Sequence, residues 1–148
     1  MPVFFETIRV KSPRVKRRII SSWVRSVADS FGKQLGAVTY IFCDDEEILR
    51  INKLYLEHDY YTDIITFDYS DGNVISGDLF ISLDTVKTNA DLYHVDYEDE
   101  LLRVIIHGIL HLCGWKDKST EEEKAMREQE NRALAIYKQL CLSKENEV

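Results

Sequence analysis

From Tyr97 to Cys113 the chain carries a nearly continuous series of apolar side chains, and this series constrains the fold more than any other feature. Leu101, Leu102, Val104, Ile105, Ile106, Ile109, Leu110 and Leu112 point in several directions around a helix, so that helix must be central and covered on more than one side. It is a core helix, because no apolar run in the chain approaches the ~20 residues needed to span a bilayer. Its last turns hold His107 and His111. Burying two imidazoles there is costly unless something satisfies them.

Histidines four residues apart on a helix are separated by about 40° of rotation and one turn of rise, so both rings point into one space. Gly114 then suits the left-handed conformation that ends a helix and turns the chain back, and Asp117 follows three residues later. H-x-x-x-H-x-x-G-x-x-D is the ligand spacing of the metzincin zinc motif, with aspartate in place of the last histidine. The glutamate that serves those proteases as general base would stand at Gly108, which has no side chain. His107, His111 and Asp117 are therefore the candidate metal ligands. The plainer reading of Asp117 is a surface residue between Lys116 and Lys118. Three N/O ligands leave a fourth position open, as in catalytic zinc sites. The same ligand set serves non-haem iron, so iron and nickel are the alternatives to zinc.

Around the central helix the pattern predicts the order βαβαββααα. Val3 to Val10 reads as a strand, and Ser12-Pro13 as the N-cap and first position of a helix ended by Gly32. Val15, Ile19, Trp23, Val27 and Phe31 form its apolar stripe. Leu35 to Cys43 is a second strand, and Asp44 to Glu47 resembles a capping box opening a helix with Ile48, Ile51 and Tyr55. Thr62 to Tyr69 and Gly77 to Leu83 form a hairpin through Asp71-Gly72, and Asp84 is placed as the cap of a short helix to about Asp91. Ser119-Thr-Glu-Glu122 opens a final helix running near Cys141, with Met126, Ala133, Tyr137 and Leu140 inside, and 143–148 as a frayed tail. The predicted class is α+β: one domain over 1–148, with a small mixed four-stranded sheet, helices, and a metzincin-like helix-turn metal site.

Net charge is −7, yet residues 1–28 hold seven basic residues against the single acid Glu6. Such a local field attracts phosphates even on an acidic protein, although a solvated helix face explains it equally well. Cys43, Cys113 and Cys141 are odd in number and far apart, as expected of reduced thiols in a cytoplasmic protein. The N-terminus shows no secretory signal, and no membrane association is expected.

The segment from His107 to Asp117 also resembles the signature of the YbeY family of metal-dependent endoribonucleases, H-G-x-L-H-L-x-G-[YW]-x-[HD]. Two further family motifs are met, one by Asn52 with Thr62-Asp63-Ile64-Ile65-Thr66-Phe67, the other by Gly77-Asp78-Leu79-Phe80-Ile81-Ser82. The resemblance implies a zinc-dependent endoribonuclease specific for single-stranded RNA. It further implies a place in 16S rRNA 3′-end maturation and ribosome quality control, with rRNA or the small ribosomal subunit, and ribosome-associated proteins, as partners. It also puts Asn52, Thr62, Asp63 and Asp78 near the metal, in substrate-binding or ligand-orienting roles. Read without it, Asn52, Thr62 and Asp63 could be capping and turn residues. Two departures stand out. Asp117 replaces the commoner histidine ligand, and Leu56 occupies the position of an arginine thought to engage phosphate. Substitutes for that charge would be His58 or N-terminal arginines, of which Arg18 and Arg25 share a helix flank. His58 and His94 otherwise read as surface residues, and Cys113 as core packing near the site. The competing functions are a small zinc metallopeptidase and a non-catalytic ribosome-associated protein with a structural metal.

Overall fold

The sheet is laid down first by the N-terminal half of the chain. In a computed structural model that describes residues 3–56 and 62–145, strand β1 (Val3–Thr7) pairs in parallel with β2 (Gln34–Cys43), and β2 in parallel with β4 (Val74–Ser82). β3 (Ile64–Asp68) lies antiparallel to β4, giving the order β1-β2-β4-β3. The helices are α1 (Arg17–Ser30), α2 (Asp45–Leu56), α3 (Leu83–Tyr93), α4 (Tyr97–Leu112) and α5 (Thr120–Glu145). The architecture is the expected single α+β domain with a four-stranded mixed sheet.

Alternation along the strands sends Val38, Tyr40, Phe42, Ile75, Leu79 and Ile81 into the main core with Ile20, Trp23 and Val24 of α1 and the apolar residues of α4. α4 is the central helix, buried on several sides, and the Tyr40 hydroxyl donates to the Ile105 carbonyl across the core at 2.9 Å. The Trp23 indole N–H donates to the Ala133 carbonyl of α5 at 2.7 Å. A smaller cluster of Cys43, Ile48, Ile51 and Ile65 joins α2 to the sheet.

Several boundaries differ from the sequence reading, each for a local reason. β1 stops at Thr7 because Arg9 adopts a left-handed backbone (φ 59°), with its side chain 3.1 Å from Asp44. α1 starts at Arg17, not Pro13, and Ser12 accepts a hydrogen bond from the Arg17 guanidinium (2.9 Å) in place of capping the backbone. Asp84 does not cap α3: Ser82 does, accepting from the Thr85 N–H at 3.3 Å, while Asp84 accepts from the Asp45 N–H of α2 at 3.0 Å. The Ser119–Glu122 box forms in both directions, at 3.0 and 3.1 Å. α5 continues to Glu145, past the end expected near Cys141, and residues 146–148 lie outside the described residues.

Candidate metal centre

The C-terminal turn of α4 builds the site. Gly114 takes φ +102°, a conformation that L side chains rarely adopt, so the Trp115 N–H can fold back onto the Leu110 carbonyl at 3.0 Å. Trp115 is edge-on to Phe31, which pins the reversal against α1. Asp117 is thereby returned over the helix end, its Oδ2 lying 3.2 Å from Nε2 of both His107 and His111.

The far nitrogens of the two rings are already committed. His111 Nδ1 lies 2.9 Å from the Trp115 carbonyl, which can only accept, so Nδ1 carries the proton. His107 Nδ1 lies 2.6 Å from Oε2 of Glu130, and an ionised carboxylate likewise only accepts. In the neutral rings both Nε2 atoms therefore present lone pairs to a carboxylate oxygen at 3.2 Å, which is repulsive unless a proton or a metal cation lies between them. One ligand atom from each of the three residues falls within 4.8 Å of the others. Zinc bonds of about 2.0–2.2 Å place tetrahedral ligand atoms roughly 3.4 Å apart, so the donor set and its spacing fit a divalent ion.

Electrostatics sharpen the picture. Burial opposes charge on His107, but the bond and charge of Glu130, with Asp63 and Asp117, outweigh it and raise its pKa. Burial likewise pulls Glu130 upward, and its bonds to His107 and Arg103 overcome this and leave it below the ordinary carboxylate range. Asp63 is raised, chiefly by burial, with the charge of His107 opposing.

Beside the three residues lies an open cleft of about 450 Å3, lined also by Asn52, Leu56, Thr62, Asp63, Thr66 and Asp68. The structure thus places Asn52, Thr62 and Asp63 on the lining of the cleft beside the candidate ligands. It does not bring Asp78, which alternates to the opposite side of β4 from Leu79 and accepts from the Tyr69 hydroxyl at 3.3 Å. Arg18 and Arg25 do not line the cleft either; Arg18 lines a groove between β1 and α1 with Lys16 and Arg17. His58 lies outside the described residues. The carboxylate in hydrogen-bond contact with His107 is Glu130, at 2.6 Å, not Asp63. Its signal in the sequence was a charged residue within the Met126, Ala133, Tyr137 stripe of α5.

Among known proteins, the profile described as endoribonuclease YbeY matches residues 6–138. The endoribonuclease YbeY of Parabacteroides distasonis is 56% identical over 141 residues, 95% of this chain and 99% of the relative. The chain belongs to the endoribonuclease YbeY family. The YbeY relative from Bacteroides thetaiotaomicron is 58% identical over 136 residues, covering 92% of this chain and 99% of its own. The solution structure of TM1509 from Thermotoga maritima shares the fold, with a TM-score of 0.62 at 22% identity over 93% of this chain and 92% of that one. The candidate ligand set of this chain is two histidines and one carboxylate. Leu56 gives the cleft an apolar side chain where the resemblance led one to look for arginine.

Proposed function

We propose that this protein is a single-strand-specific, metal-dependent endoribonuclease, with zinc as the expected ion at His107, His111 and Asp117. Its place is the maturation of the 16S rRNA 3′ end and ribosome quality control in the cytoplasm, with the small ribosomal subunit as partner. The whole chain forms one hydrolase domain in this reading. The observation that carries it is the convergence of two oriented Nε2 atoms and a carboxylate on the lining of an open cleft, in a member of an endoribonuclease family.

A divalent ion there would lower the pKa of water to about 7 and polarise a phosphoryl oxygen. The protein's part is positional. The Trp115 carbonyl occupies His111 Nδ1 and Glu130 occupies His107 Nδ1, so both rings turn Nε2 toward Asp117. Asp63, Asp68 and Asp117 line the cleft, and none of its described lining residues is Lys or Arg. Phosphate must therefore be drawn in by the ion and by contacts outside the cleft, for which Arg18 and Arg25 are the proposed groups.

Gly108 argues against peptide hydrolysis. A Cβ there would lie 3.0 Å from Ile64 Cδ1 and 3.2 Å from both Leu79 methyl carbons, so a glutamate base at this position would run into the sheet. The test is incubation of metal-loaded protein with single-stranded RNA beside His111→Ala. Cleavage is expected to vanish in the variant, and cleavage that survives it would assign the activity to something else.

A further inference from the structure

Arg103, His107 and His111 recur at four-residue spacing and so share one stripe of α4. Across from the first two stands Glu130 of α5, only 5% exposed although its stripe neighbours Met126, Ala133 and Tyr137 are apolar core residues. Packing gives no reason for a carboxylate there, and burying one is costly unless both oxygens are bonded. Both are: Oε2 is 2.6 Å from His107 Nδ1, and Oε1 is 2.8 Å from Nη1 of Arg103. The other arm of Arg103 is held 2.8 Å from Oδ1 of Asn131.

The two histidines are oriented by different devices. His111 leans on a backbone carbonyl that almost any sequence would supply, whereas His107 leans on one side chain. A neutral imidazole in water prefers its proton on Nε2, the atom that here faces Asp117. Which nitrogen carries the proton is set by the bond that the other makes.

We propose that Glu130, clamped by Arg103, is a positioning residue that keeps the His107 proton on Nδ1 and the Nε2 lone pair aimed at Asp117. The inference rests on His107, His111 and Asp117 being the metal site. It goes beyond that site by assigning its preorganisation to the α4–α5 contact. Neither Glu130 nor Arg103 lines the cleft beside the three candidate ligands; they act through His107.

The test compares the parent chain with Glu130→Ala, Glu130→Gln and Arg103→Met. Two quantities are read: zinc affinity by chelator competition, and the imidazole tautomers in metal-stripped protein from 15N–1H NMR. In Glu130→Ala, His107 should gain the Nε2–H form while His111 stays on Nδ1–H, and zinc should bind about 10–100-fold more weakly. Glu130→Gln, nearly isosteric and able to accept from Nδ1, should keep the tautomer and recover part of the affinity. Arg103→Met should weaken zinc binding less than Glu130→Ala. A general packing defect would disturb both histidines and would not be rescued by glutamine, and either result overturns the assignment. So does a His107 tautomer unchanged in Glu130→Ala, or, if that variant does not fold, zinc affinity unchanged in both Glu130→Gln and Arg103→Met. A parent chain that binds no zinc, or binds it equally with His111→Ala, would remove the metal reading instead. The tautomers of the metal-stripped protein would then still decide the role of Glu130.

Discussion

Gly108 stands between the two histidines, and replacing it with alanine sets two opposed effects against each other. In the middle of a helix the change should stabilise by about 1 kcal/mol, because alanine loses less backbone entropy on folding than glycine. The new methyl would lie 3.0 Å from Ile64 Cδ1 and 3.2 Å from Leu79 Cδ1 and Cδ2, well inside ordinary carbon contact. Leu79 is fully buried, so it has little room to give. Overpacking of this kind costs about 1–3 kcal/mol. The expected net is a loss of about 1 kcal/mol, a fall in Tm of roughly 2–4 °C for a chain of this size. The assay is thermal and urea unfolding of metal-free protein, parent beside Gly108→Ala, repeated in an Ile64→Val background that removes the nearest methyl. In that background the cost should shrink by at least about 0.5 kcal/mol, a coupling that the double-mutant cycle isolates. Glu in place of Gly108 should be far worse, since it drives a carboxylate between helix and sheet. A Tm raised by the full helix-propensity gain, or zero coupling to Ile64, would refute the close approach of α4 to the sheet.

Asp117→Ala should lose bound metal by elemental analysis while leaving metal-free stability within about 0.5 kcal/mol, because the side chain is on a part-exposed turn and packs no core. Asp117→His should retain metal; unchanged metal content in Asp117→Ala would remove this residue from the site. Leu56→Arg places a cation on the wall of the acidic cleft, and one added phosphate contact should steepen the fall of log RNA affinity with log salt by roughly 0.7. The double change Arg18→Ala/Arg25→Ala should make that slope shallower by up to twice as much, and an unchanged slope would mean that α1 is only a solvated surface. Burial pushes the thiols of Cys43 and Cys113 up to about 12 and about 11. Since the thiolate is the reactive form, both should resist iodoacetamide at pH 8 in the native state and react once unfolded. Rapid native labelling of either would contradict the packing around it.

What could be read from the sequence alone was what repeats over short distances. The 3.6-residue period of α1, α4 and α5, the two-residue alternation of the strands, and the Asp71-Gly72 turn give the order of elements and a small mixed sheet. The His107–His111 spacing and the Gly114 reversal are equally local, so three candidate ligands could be named before any contact was known. The errors were local competitions between neighbours for one partner, as when Ser82 capped α3 and freed Asp84 to serve α2. Facing was harder: Asp78 and Asp63 both sit in family motifs, yet pleating turns one to Tyr69 while the other reaches the cleft. What the tertiary structure alone decided is which distant groups meet. Glu130 reaches His107 across 23 residues and Arg103 across 27, because α5 docks in one register on α4. No periodicity encodes that register; it is set by the packing of Trp23, Met126, Ala133 and Tyr137 in a shared core, and the orientation of His107 follows from it.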